Sequence, residues 1–231
     1  MKKPLLIAHR CGPSVYPEQT IQSARLALEQ GADMVEMDVY YTSDDVPVIC
    51  HDPNTLRCFG LDARVSDLPY EKFMTLRHTA DRAYPAHSLQ DVIDCGVAPI
   101  LLHCKNLGKR QTVEKMKVLG DKVILGVQGT ADVTAAKDEG LRVLAFMPRP
   151  DDAQAFIDAG ADIIRLWEDW VTPERVKMIH NAGRECWIMS GKCTVEGVGH
   201  TDEAHMRLWL SLGVDGVLSN DVLWAKNILE G

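Results

Sequence analysis

The chain has no apolar run long enough to cross a bilayer, so stable membrane insertion is not expected. It also lacks an excess of positive charge. Lys and Arg number 25 against 33 Asp and Glu, a formal net charge of −8, which argues against a nucleic-acid partner, whose binders usually carry a basic stripe. No block of like charge marks a tail or a membrane-binding patch. No CxxC pair or zinc-type spacing occurs among the seven cysteines, and Cys50, Cys104 and Cys186 fall inside strand-like runs. They read as buried free thiols in a reducing compartment, with the cytoplasm as the default. After Met1-Lys2-Lys3 the apolar stretch stops at His9-Arg10, so no secretory signal is expected.

What the chain does have is rhythm. Short apolar, strand-like runs at 5–9, 34–39, 98–105, 122–127, 142–147, 162–167, 185–189 and 214–219 alternate with amphipathic stretches at 20–30, 89–94, 111–119, 131–139, 151–159, 173–181 and 203–212. Many helical stretches end on a glycine just before the next strand: Gly31, Gly96, Gly120, Gly140, Gly160, Gly183 and Gly213. Eight strands alternating with helices predict an α/β fold, a closed (β/α)8 barrel of TIM type. An open doubly wound sheet is the alternative, disfavoured because no glycine-rich dinucleotide turn follows the first strand. The rhythm breaks at about 40–87, where a turn at 43–45, a short strand at 46–50 and a long polar excursion read as an insertion after the second strand. With no linker or repeat, residues 1–231 are expected to form a single domain with that insertion as its cap.

The densest chemistry lies in Ile7-Ala8-His9-Arg10, Val35-Glu36-Met37-Asp38-Val39 and Ile49-Cys50-His51-Asp52. Alternation along a strand puts Glu36 and Asp38 on one face. Two such carboxylates repel each other and resist desolvation unless a cation sits between them. That cation is either a metal ion or Arg10 or Lys105 in a metal-free ion-pair network. Two imidazoles and an arginine beside them suggest acid/base chemistry on an anionic, phosphate-bearing substrate. In a barrel the C-terminal strand ends converge on one mouth, bringing His9, Glu36, Asp38, His103, Lys105, Ser219 and Asn220 together, with the insertion folding His51 over them.

The succession His9-Arg10, Pro17-Glu18-Gln19-Thr20, Gly31-Ala32-Asp33-Met34-Val35-Glu36-Met37-Asp38-Val39 and His51-Asp52 resembles the glycerophosphodiester phosphodiesterase family. Ser88-Leu89-Gln90-Asp91-Val92-Ile93 and Gly213-Val214-Asp215-Gly216-Val217-Leu218-Ser219-Asn220 extend the likeness over nearly the whole chain. The resemblance implies the barrel fold and metal-dependent hydrolysis of a small-molecule glycerophosphodiester to glycerol 3-phosphate and an alcohol. It implies His9 and His51 as the catalytic pair, Arg10 as the phosphate-contacting arginine, Glu36 and Asp38 as ligands of a divalent Mg²⁺ or Ca²⁺, and Lys105 as a lysine at the mouth.

The chain departs from the family pattern twice. His103 stands where the family usually places a third carboxylate ligand, which makes Mn²⁺ or Zn²⁺ more plausible. His103 is thus either a metal ligand or a barrel-interior histidine. Trp187-Ile188-Met189-Ser190 replaces the family's Trp-Thr-Val-Asn, and Trp187 is read as a substrate wall in preference to core. Among the remaining candidates, Glu18 either touches the site or acts as a helix N-terminal charge. Arg165 and Trp167 share a strand face and could line a leaving-group pocket, His200 and His205 read as solvated, and Gly197 and Gly199 could hinge over the mouth. The rival functions are an intramolecular phosphotransferase of the sphingomyelinase D or phospholipase C kind, ending at a cyclic phosphate, and a binding barrel whose metal site has decayed.

Overall fold

The structure, a computed structural model, describes residues 3–105, 110–191 and 197–231. Among the described residues nine strands form one sheet: β1 (Leu5–Ala8), β2 (Met34–Tyr41), β3 (Pro47–Ile49), β4 (Ile100–Cys104), β5 (Val123–Val127), β6 (Arg142–Ala145), β7 (Ile163–Trp167), β8 (Glu185–Met189) and β9 (Gly216–Ser219). Eight are parallel and run in the order β1-β9-β8-β7-β6-β5-β4-β2; the pairing of β1 with β2 closes the barrel. The expected (β/α)8 barrel is therefore the fold. β3 is the exception, antiparallel to β2, with Val39 opposite Ile49 and Tyr41 opposite Pro47.

Alternation along each strand builds the two cores. Leu6, Val35, Met37, Leu102 and Cys186 face outward into the layer shared with the helices, while Ile7, Met34, Leu101, Ile163, Trp187 and Leu218 fill the interior. Polar side chains enter the interior only where it opens: Glu36 and Asp38 alternate with Val35, Met37 and Val39, and His103 alternates with Leu102 and Cys104. The seven glycines expected to stop helices all have φ between 57° and 102°, the left-handed conformation that ends a helix without a Cβ penalty. Side-chain caps fix the helix starts: Thr20 accepts from the Ser23 amide ahead of Ile21–Glu29, and Ser88 forms a capping box with Asp91 ahead of Leu89–Asp94. The helix Val222–Glu230 was not expected; it is N-capped by Asp221 and buried through Ala225, Ile228 and Leu229.

The segment between β2 and β4 carries an apolar nucleus of its own, formed by Val48, Cys50, Cys58, Phe59, Val65, Leu68, Phe73, Leu76 and Ala86. The Cys50 amide donates to the Asp38 carbonyl at 3.0 Å, tying the root of this segment to the end of β2. Cys50, Cys104 and Cys186 are buried free thiols as expected; Cys193 lies outside the described residues. No helix among the described residues is long and apolar enough to cross a membrane.

Candidate active site

β1 ends at Ala8, and the next three residues turn sharply. Arg10 (φ 48°), Cys11 (φ 69°) and Gly12 (φ 60°) are all left-handed. For two non-glycine residues in succession this is a strained backbone, of the kind held only where its surroundings over-determine it. The strain has a structural result: it aims the Arg10 backbone amide at Glu36 Oε2, 2.8 Å away. Gln19, a third non-glycine residue in the left-handed region (φ 63°), clamps Asp38 from the other side. Its Nε2 donates to Asp38 Oδ2 at 2.7 Å and its Oε1 accepts from the Asp38 amide at 3.0 Å.

The two carboxylates are 2% and 1% exposed, and with His103 they offer ligand atoms all within 4.8 Å of one another. Burial, with Asp38 beside it, pushes the Glu36 carboxyl up to about 8. Burial also acts on Asp38, but His103 and the Lys105 ammonium outweigh it and hold that carboxyl below its usual range. Lys105 Nζ lies 2.6 Å from Asp38 Oδ1 and 2.9 Å from His103 Nδ1, so the lysine occupies part of the charge that a metal would balance. Burial lowers His103 to about 4, which keeps its imidazole neutral, and Nε2 is buried with no hydrogen-bond partner among the described residues. Two desolvated carboxylates and an unsatisfied neutral imidazole fit a divalent cation.

The two histidines of the sequence pattern meet at the same place. His9 Nδ1 bonds Asn220 Oδ1 at 2.8 Å, and Asn220 Nδ2 donates to the Val198 carbonyl at 3.1 Å. Because the amide nitrogen is engaged, Oδ1 is the acceptor, Nδ1 of His9 carries the proton, and Nε2 is the basic nitrogen. Burial, assisted by the Arg10 charge, lowers His9 to about 3. Gly199 makes this arrangement possible: a Cβ there would lie 2.2 Å from Asn220 Cγ. It is a packing glycine (φ 97°) whose carbonyl accepts from the Asn220 amide.

His51 belongs to a closed ring of side chains. Its Nδ1 bonds Asp52 Oδ1 at 2.6 Å and its Nε2 accepts from Arg10 Nη2 at 2.7 Å. Asp52 also pairs with Arg57 Nε, Arg57 makes a two-pronged pair with Glu18 (2.9 and 2.7 Å), and Glu18 returns to Arg10 Nη1 at 3.4 Å. Glu18 thus reaches the site through Arg10 and lines a neighbouring cavity of about 440 Å³ with Tyr16, Arg57 and His78.

One cavity of about 310 Å³ gathers His9, Arg10, Glu36, Asp38, His51, His103 and Lys105. Its far side is formed by Gln128, Phe146, Arg165, Trp167, Met189 and Val198. Trp187 does not line it, so the expectation of a substrate wall there is corrected. It is 0% exposed, its Nε1 donates to Glu185 at 3.0 Å, and it fills the barrel interior over Gly216, where a Cβ would meet its ring at 2.7 Å. Trp187 does point inward, but the mouth lies one inward residue later, at Met189. Phe146 carries no site signal in the sequence; its ring stacks on His103 (3.8 Å, 16°) in space left by Gly126. The Gln19 clamp and Arg57 were likewise not expected at the site. His205 is half-buried against Asp202, at 2.9 Å, and His200 lies 3.4 Å from Asn220, so neither is simply solvated.

Comparison with known proteins places this geometry. The model of the glycerophosphoryl diester phosphodiesterase family matches residues 9–159. Glycerophosphodiester phosphodiesterase 1 of Rattus norvegicus is 32% identical over 130 residues, 56% of this chain but only 35% of the rat protein, so the match spans about a third of that relative's length. Solved structures share the fold. A glycerophosphoryl diester phosphodiesterase of Parabacteroides distasonis superposes with a TM-score of 0.80 at 20% identity over 99% of this chain and 87% of its own. A phosphodiesterase of Oleispira antarctica, solved with the product sn-glycerol-3-phosphate, gives 0.79 at 19% identity over 99% of this chain and 97% of its own.

Proposed function

This chain belongs to the glycerophosphoryl diester phosphodiesterase family, and from that premise we propose that it hydrolyses a glycerophosphodiester to glycerol 3-phosphate and an alcohol. The reading takes residues 1–231 as one barrel domain capped by about 40–87, working in the cytoplasm, where buried free thiols such as Cys50 and Cys104 stay reduced. One observation carries it: a single cavity joins two imidazoles, an arginine fork and a buried carboxylate pair.

Arg10 binds the phosphate. Its guanidinium now donates to His51 Nε2, and an incoming phosphate diester offers a stronger, charged acceptor for the same N–H groups. Moving Arg10 onto phosphate would release the His51 imidazole for proton transfer while Asp52 keeps its orientation. His9, held neutral by burial and oriented by Asn220, accepts the proton of the attacking water. Once Arg10 has moved, His51 Nε2 takes up a proton from solvent, with Asp52 balancing the imidazolium, and delivers it to the leaving alkoxide, while His9 returns the water's proton to solvent. Glu36, Asp38 and His103 would hold a divalent cation, with Lys105 yielding its place beside Asp38 and contacting the substrate. Such an ion neutralises phosphate oxygens as a Lewis acid. Two carboxylates favour Mg²⁺ or Ca²⁺, and the imidazole shifts preference toward Mn²⁺ or Zn²⁺.

The test is phosphorus NMR of glycerophosphodiesters with a cationic, a neutral and an anionic alcohol, each incubated with the protein and each metal. Appearance of the glycerol 3-phosphate monoester supports hydrolysis. A persistent cyclic phosphate signal would replace it with the intramolecular transfer, and an unchanged diester signal with every metal would reject the substrate class.

A further inference from the structure

Arg165 is 4% exposed, yet its Nε and Nη1 have no hydrogen-bond partner among the described residues. A buried guanidinium left so is costly unless something completes it. Three rings hold it: its Cζ lies 4.4 Å from the Trp167 ring centre, 5.3 Å from Phe146 and 5.7 Å from Trp170. Stacking satisfies the flat faces of a guanidinium and leaves its N–H edge, which is the part that recognises carboxylate or phosphate. Burial lowers Arg165 to about 9, with the Asp169 charge offsetting this only in part, so the group is still a cation at neutral pH.

Its position in the barrel gives that edge a purpose. β7, which carries Arg165, lies diametrically opposite β2, which carries Glu36 and Asp38: β1, β9 and β8 intervene on one side, and β4, β5 and β6 on the other. Arg10 and Lys105 both have carboxylate neighbours, Glu18 and Asp38. Arg165 lines the same cavity, and among the described residues no carboxylate is hydrogen-bonded to its Nε or Nη1, Asp169 acting on it only as a nearby charge. A phosphodiester seated between His9, His51 and Arg10 would direct one substituent across the mouth toward β7.

We infer that Arg165 is a specificity-determining residue that binds a second anionic group, a carboxylate or phosphate, on the substituent of the phosphodiester that reaches across the barrel. This rests on the phosphodiesterase reading and deepens it, because it selects substrates whose alcohol carries a negative charge.

The test uses a matched pair, the glycerophosphodiester of glycolic acid and its uncharged amide, with the full metal-loaded chain. The expected result is a kcat/KM for the carboxylate at least roughly 10-fold above that for the amide, as for a charge-assisted hydrogen bond. Arg165→Met, similar in length and apolar, should collapse that ratio to near one, and Arg165→Lys should restore part of it. Calorimetric binding of the same pair to the slow His9→Ala chain, with and without Arg165→Met, gives the ratio independently of turnover. A wild-type ratio near one, a ratio that Arg165→Met leaves unchanged, or an equal fall for both compounds (placing Arg165 on the scissile phosphate) would each overturn the inference. Hydrolysis of both compounds at equal efficiency would sink this inference and leave the phosphodiesterase reading standing. Arg165-dependent preference in binding without hydrolysis would do the reverse. Because removing an unpaired buried charge favours the folded state, Arg165→Met should also melt at a higher temperature than wild type without ligand, which reports that the variant folds.

Discussion

Loading the metal should expel a proton, and the structure says which one. Of the three candidate ligands, His103 is already neutral and Asp38 already ionised at neutral pH; only Glu36, raised to about 8 by burial and by Asp38, still holds a proton. At neutral pH a carboxyl raised this far is mostly protonated, so binding one dication should release close to one proton. Affinity should then weaken as pH falls below that raised value, approaching roughly tenfold per pH unit. Isothermal calorimetry of Mn²⁺ binding at pH 7, in two buffers of different ionisation enthalpy, counts the released protons directly. Repeating the titration across pH 6 to 8 checks the slope, and Glu36→Gln should bind more weakly and release none. A proton count near zero in the wild type, or an affinity flat across that range, would refute the reasoning and put the cation elsewhere.

His9→Ala and His51→Ala should each leave a folded chain with turnover of a glycerophosphodiester reduced roughly 100-fold or more, the contribution typical of one member of an acid/base pair; steady-state kinetics decide it. His103→Glu should shift preference from Mn²⁺ or Zn²⁺ toward Mg²⁺ or Ca²⁺, and should enlarge the metal-induced rise in melting temperature because the added charge is tolerable only with the ion bound. If both readouts stay as in the wild type, His103 holds no metal. Trp187→Phe should destabilise the fold by about 1–3 kcal/mol in urea melts, through the lost bond to Glu185 and lost volume, while KM stays within about twofold. A large rise in KM at unchanged stability would return Trp187 to the substrate.

Most of the barrel was legible because two periodicities write it into the chain. In β2 the outward positions 35, 37 and 39 are Val, Met and Val, so Glu36 and Asp38 stand out in the sequence as carboxylates on the opposite face. The break in rhythm at about 40–87 was legible for a similar reason, since its polar stretch fits neither period. What stayed hidden depends on depth and on partners distant in sequence. Strand alternation told that Trp187 faces inward but not how far below the mouth it sits; that is set by the stagger of β8 against β9, where Trp187 pairs with Gly216. The ring through Arg57 and Glu18 joins an insertion to the first loop, and nothing local in either segment names the other. Gly126 carries no signal in sequence at all, because its meaning is the Phe146 ring that its missing side chain admits.

The apolar nucleus of the segment after β2 gives the two imidazoles anchors of different kinds, the barrel for one and a small local cluster for the other. His9 is anchored by the barrel, whereas His51 follows the short strand Pro47–Ile49 into a segment packed around Phe59 and Phe73. Such a segment can open as its own unit, at a free energy below that of global unfolding. Heating should therefore abolish turnover reversibly at a temperature where the barrel amides are still protected from hydrogen exchange. Resistance of the catalyst to heat is then governed by the cap, and strengthening its small nucleus would extend the working range of the protein without touching a barrel residue.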